Sequence, residues 1–389
     1  MSTLLLAADT AGYTLPTTWR ALTKTGYFLG LSGTIGGLVT YATTVRPTLR
    51  RTPDTDDASL LRHRSSVWFA WSGVVLLVAG YFQLAARVAR NGRGMPFGHA
   101  LAPRPIWQFL RAPADDGTWI AQGTLFLVQN LVLLATAILL MTLFTRAARR
   151  RVDPVALTAL PLALAVTLIG AVPATVPLKA DEVLDLVLTQ THIISGTVWL
   201  GGLALLSVLA GARRRLSPDA GLLWADLWRR FSLVAMICVA AVVVSGLWMS
   251  WKHVGAVSQL WTTGYGLALL VKINLVLGMV TAGAFNQFWL MPRMAQARRT
   301  GENASLLHLT LRHFPKVVWG EVALGLAVLV VVPFLSGSAR KEAGGAPAEP
   351  SAGVYTAGLA LALALAVSLY ATARASDALS RRTPTPDPA

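Results

Sequence analysis

The sequence predicts an all-α, polytopic membrane protein of about nine transmembrane helices. Three observations carry that prediction. The 389-residue chain is 54% hydrophobic and only 13% charged. Its apolar runs repeatedly exceed the roughly 18 residues that cross a bilayer as a helix. Its basic residues collect between those runs, where they set topology. The net charge of +16 is therefore read as membrane orientation, and no nucleic-acid partner is expected. Strands are not expected, because spanning helices satisfy their own backbone hydrogen bonds. Cys238 is the one cysteine and lies in an apolar run, so no intrachain disulfide can form. The opening "MSTLLLAADTAG" lacks a basic n-region and makes a poor signal peptide.

Nine segments follow in order. The first, 22–45, contains "LSGTIGGL", and the second covers 66–88. The third, 119–145, contains "QNLVLL". The fourth, 155–176, has Pro161, Pro173 and Pro177 in or beside it, and a kink is expected there. The fifth, 184–210, holds "THIISGTVWLGG" with His192. The sixth, 231–251, runs into "SGLWMSWKH". The seventh, 264–290, holds Lys272, and the eighth, 315–335, holds Glu321. The ninth covers 353–373, and the tail "RRTPTPDPA" reads as disordered.

Lys and Arg number 5, 4, 5, 5 and 3 in 46–65, 146–153, 211–230, 291–316 and 374–389. The opposite connections are poorer, except 87–118, which also carries Asp115 and Asp116. The first set should be cytoplasmic, with the N-terminus outside and the C-terminus inside.

The first four segments read as a worn copy of the next four. "LSGTIGGL" matches "ISGTVWLGGL" (194–203), Arg64, Ser66 and Gly80 match Arg230, Ser232 and Gly246, and "QNLVLL" matches "INLVLG". Four helices per unit is an even number, so the repeat is parallel. The expected organisation is a four-helix unit over 1–180, a second over 181–340, and a final helix with its tail over 341–389. In this alignment His192 falls on Leu29, Lys272 on Val128, and Glu321 on Leu160 or Pro161. Packing common to both units does not explain the ionisable set, so chemistry is expected in the second.

His192 and Lys272 each lie about eight residues into helices that run the same way, about 12 Å deep. An intramembrane lysine is costly and usually faces the bundle interior or reaches for the interface. Met249, Trp248, Trp251 and His253 come to the outer end of the same region, with Trp199 and Trp261 nearby. Three readings stand. His192, Met249 and His253 bind copper, which imidazole and thioether suit. His192 is an axial ligand of haem b in a helix bundle. Or His192 only hydrogen-bonds a neighbouring helix, and Met249 only packs. In "GMPFGHAL", Met95 and His99 would catch copper at the mouth. His63, His308 and His313 lie among arginines on the opposite side. Glu321 is expected to pair with Asn286, Gln287 or a basic residue, and Gly196, Gly201 and Gly202 to admit a close helix neighbour.

Over roughly 185–337, "HIISGTVWLGGLALL", "LWTTGYGLALLVKINLVLG" and the Glu321 helix "PKVVWGEVALGLAVLVVVPFLS" resemble the membrane domain of the copper resistance protein D (CopD) family. The resemblance implies a bacterial inner-membrane protein that passes a copper ion toward the cytoplasm. It also implies a separate periplasmic copper-binding partner of the CopC type. "THIISGTVWLGGL" with a lysine in a later helix also resembles the HemJ-type protoporphyrinogen oxidase family. There the corresponding histidine is associated with haem, which suits Lys272 as partner of a propionate. No phosphate-binding glycine loop is visible, so the reading is a transporter without an ATP-driven step rather than an enzyme. An assembly subunit of a respiratory complex is the remaining alternative.

Overall fold

The computed structural model describes residues 13–51, 55–92, 95–176, 178–217, 220–290, 292–293 and 314–381. Among these there is no strand, and nine helices are long and apolar enough to cross a membrane. They are α1 (Thr18–Arg51), α2 (Asp56–Asn91), α3 (Gln122–Phe144), α4 (Val152–Ile169), α5 (Ala180–Ala210), α6 (Ala220–His253), α7 (Gly264–Trp289), α8 (Val317–Phe334) and α9 (Ala352–Thr372). All nine expected segments are present. Several run longer than expected because polar turns extend them past the apolar stretch. Pro161 lies inside α4 and does not end it.

Local chemistry starts the helices. Thr55 accepts from the Ala58 N–H at 3.3 Å, and Asp56 and Asp57 occupy the first turn of α2. The Glu182 carboxylate accepts from the Lys179 N–H at 3.0 Å where α5 begins. At α7, Thr263 Oγ1 accepts from the Gly266 N–H at 3.0 Å. The Glu342 carboxylate, far away in sequence, accepts from Gly264 and Tyr265 N–H at 2.9 and 3.1 Å.

Helices α1 and α5 are the most buried, and α5 packs on α1, α6 and α8. Helix α3 packs on α2 and α4, and α7 on α8. Helix α9 rests on α6, and none of its apolar window is buried. The backbones of α1 and α5 touch at Gly36 and Gly201. A Cβ on Gly36 would strike the Thr197 carbonyl, and one on Gly201 the Ser32 carbonyl. Two π-turns, Ser32–Gly36 and Tyr41–Val45, interrupt α1 beside this contact. Gly202 meets Phe231 and Thr40, as its expected role requires, but the Cβ position of Gly196 is open. The touching segments are the two that resemble each other in sequence.

One end of the bundle carries the 95–121 loop, and the other carries the arginines. At the arginine-rich end, Asp153 on α4 takes Arg46 at 3.1 Å and the Tyr41 hydroxyl at 2.6 Å, both from α1. Asp226 on α6 takes Arg229 and Arg230, each at 2.8 Å, and Thr48 of α1 at 3.0 Å. Arg64 on α2 donates to the Val208 carbonyl of α5 at 3.2 Å. Of these, the Thr48–Asp226 and Arg64–Val208 contacts tie the two halves of the chain together.

Candidate functional site

The imidazole of His192 points between α5, α6 and α7. Its Nδ1 lies 3.0 Å from Ser245 Oγ on α6, and its Nε2 lies 3.5 Å from Lys272 Nζ on α7. Ser245 spends its own proton on the Ala241 carbonyl. Its oxygen therefore accepts from His192, which places the imidazole proton on Nδ1 and leaves the Nε2 lone pair facing Lys272. Gly246 makes room, since a Cβ there would come within 3.4 Å of His192 Cε1. Helix α5 starts at Ala180 and α7 at Gly264, so His192 is twelve residues into its helix and Lys272 eight. The two meet because α5 reaches about one turn further toward the loop end.

Positions seven apart share a helix face to within about 20°. On α5 that series is Asp185, His192 and Trp199, and on α7 it is Tyr265, Lys272, Met279 and Asn286. Toward the loop end, Asp185 binds Lys252 Nζ at 2.7 Å and accepts from Trp248 Nε1 at 3.2 Å. His253 stacks on Tyr265 with centroids 5.6 Å apart and donates from Nδ1 to the Met249 carbonyl at 2.8 Å. Its Nε2 also carries the lone pair. Toward the arginine-rich end, Met279 is buried near Gly325 of α8. Beyond it, Asn286 Nδ2 donates to Glu321 Oε1 at 2.8 Å. That is one of the partners expected for Glu321.

The structure thus brings His192 and Lys272 together and adds Ser245. It does not gather His192, Met249 and His253 around one point. Ser245 and His253 are eight residues apart on α6, about 12 Å along its axis. Among the described residues no group of three or more His, Cys, Asp or Glu side chains is placed to hold a metal ion. His99 is exposed on the short helix Phe97–Ala100, and Met95 packs in a small apolar cluster beside Phe97. Trp199 lies near Glu321, not beside the His192 ring, and Trp261 is exposed. His308 and His313 lie outside the described residues. Sequence reasoning missed Ser245, Asp185 and Met279. The seven-residue spacing from His192 and Lys272 was the signal that could have found the last two.

The family described as copper resistance protein D matches residues 225–335, which run from α6 through α8. That part of the chain, less than a third of it, is similar to the CopD family. The CopD match includes Ser245, Lys272, Asn286 and Glu321, and it begins after His192. The chain is 30% identical over 260 residues to a protein of Bacillus subtilis (strain 168) named copper transport protein CutJ. That alignment covers 66% of this chain but 42% of the relative, so this chain spans less than half the relative's length. It is 27% identical over 283 residues to inner membrane protein YebZ of Escherichia coli (strain K12), covering 71% of this chain and 83% of that one. No solved structure matches it significantly.

Proposed function

We propose that this protein transports copper across a bacterial cell membrane, with the loop end outside and the arginine-rich end in the cytoplasm. The observation that carries the reading is the orientation of His192. Its Nδ1–H is committed to Ser245, so Nε2 is held as a lone pair in the bundle interior. Imidazole nitrogen suits both oxidation states of copper. His253 and the exposed His99 offer imidazoles at the loop end, and the Met249 thioether lies one turn from Ser245. A separate periplasmic copper-binding protein of the CopC type would deliver the ion to that end. The match of residues 225–335 to the CopD family and the printed name of the Bacillus relative support the choice of copper.

Lys272 has a definite task in this scheme. Its ammonium donates to the Nε2 lone pair that a copper ion needs. Proton and metal therefore compete for one position, and an unloaded site is held closed by its own lysine. Lys272 also fills the space in front of Nε2 where a haem iron would sit, which supports a bare ion over a macrocycle. The second unit, 181–340, would be the conducting half and 1–180 its support.

The test is metal analysis and a visible spectrum of the purified protein after copper loading. Near-stoichiometric copper, lost in His192→Ala, is the expected result. A Soret band would establish haem and overturn the proposal, as would copper retained unchanged without the imidazole.

A further inference from the structure

A cavity lies about 21 Å beyond Lys272, fourteen residues along α7. Its volume is about 230 Å³. Its walls include Trp199 and Phe231, its polar end is formed by Glu321 and Asn286, and it reaches Thr372 on the peripheral helix α9. Glu321 is 3% exposed and Asn286 7%. Asn286 satisfies one carboxylate oxygen, yet its own Oδ1 has no hydrogen-bond partner. No Lys or Arg is paired with Glu321 among the described residues. A buried carboxyl and a buried orphan acceptor side by side call for a ligand that carries donors and positive charge.

The lining narrows the chemistry. Oxygen donors do not suit cuprous copper, and Glu321 is the one carboxylate among the lining residues, too little negative charge to neutralise a divalent cation. An organic ammonium matches every feature. It donates several hydrogen bonds, it neutralises a carboxylate, and its charged head is favoured against aromatic faces.

We propose that this cavity binds a primary ammonium group, supplied by an aminophospholipid headgroup or by a free amphiphilic amine. Thr372 of the peripheral helix α9 is part of its wall, so the cavity lies beside the lipid-facing side of the bundle. The inference uses neither His192 nor copper, so it stands or falls separately from the transport reading.

The experiment uses the full chain in nanodiscs. In one arm the discs mix phosphatidylcholine with phosphatidylethanolamine, and native mass spectrometry counts the lipid retained. In the other the discs hold phosphatidylcholine alone, and octylamine is titrated while the melting temperature is followed. Retention of phosphatidylethanolamine assigns the headgroup, and stabilisation by octylamine alone assigns the free amine. In either case Glu321→Gln should weaken binding about tenfold or more, as loss of a charge-assisted hydrogen bond does. Glu321→Asp, which keeps the carboxylate one methylene shorter, should bind more tightly than Glu321→Gln. No amine binding in either arm, or binding by Glu321→Gln equal to that of wild type, would overturn the proposal. So would stabilisation by cuprous ion alone that Glu321→Gln abolishes.

Discussion

Ser245 does for His192 what an outer-sphere partner does for any metal-binding imidazole: it fixes the tautomer. Ser245→Ala removes the acceptor for Nδ1–H and frees the ring to turn. Copper affinity measured by competitive titration should fall about 10- to 100-fold, while thermal stability changes little. Lys272→Met removes the competing proton donor, so copper binding should become weakly dependent on pH where the wild type is steeply dependent. Titrations across neutral pH read this directly, and identical profiles would refute the competition. The pairing of His192 with Lys272 was legible from counting residues into parallel-running helices. Ser245 was not, because a serine in a membrane helix usually bonds its own helix, and this one does that as well.

Helix α5 shows why glycines five residues apart differ in role. Gly201→Val would force the Ser32 carbonyl away and should cost about 1–3 kcal/mol, with a lowered melting temperature. Gly196→Ala should be neutral, since its Cβ direction is open. Sequence alone treated these glycines as equivalent. Only the crossing with α1 separates them, and one chain segment does not encode where its neighbour lies.

The start of α7 gives a second prediction at this scale. Burial holds the Glu342 carboxyl above its ordinary value, although the two amide donors pull the other way. The folded protein therefore favours the protonated form. Its contribution to stability is greatest below the ordinary carboxyl value and declines as pH rises through the raised one. Glu342→Gln should flatten that decline in melts recorded against pH. Glu342→Ala should raise hydrogen exchange at the Gly264 and Tyr265 amides.

At the scale of the molecule, the nine spans were readable because hydropathy and chain length leave few other solutions for so apolar a sequence. Their ends were less readable. The terminal turns of α2 and α6 are polar helix outside the apolar stretch, and an apolar window ends before they do. At the arginine-rich end Arg46 and Arg50 of α1 pair with Asp153 of α4, while Asp226 pairs with Arg229 and Arg230 of its own helix. Reporter fusions test the proposed direction: a fluorescent protein after residue 389 should mature, and alkaline phosphatase at residue 345 should be active.

The crossing of α1 with α5 then acquires a mechanical meaning. Where two backbones touch without side chains between them, neither helix can slide or draw apart without losing contact on both sides. The joint behaves as a fulcrum. If the His192 site is to be reached from one side of the membrane and then the other, the helices must tilt around Gly36 and Gly201. The paired turns of wider winding in α1 sit beside that pivot, where a helix gives way most easily.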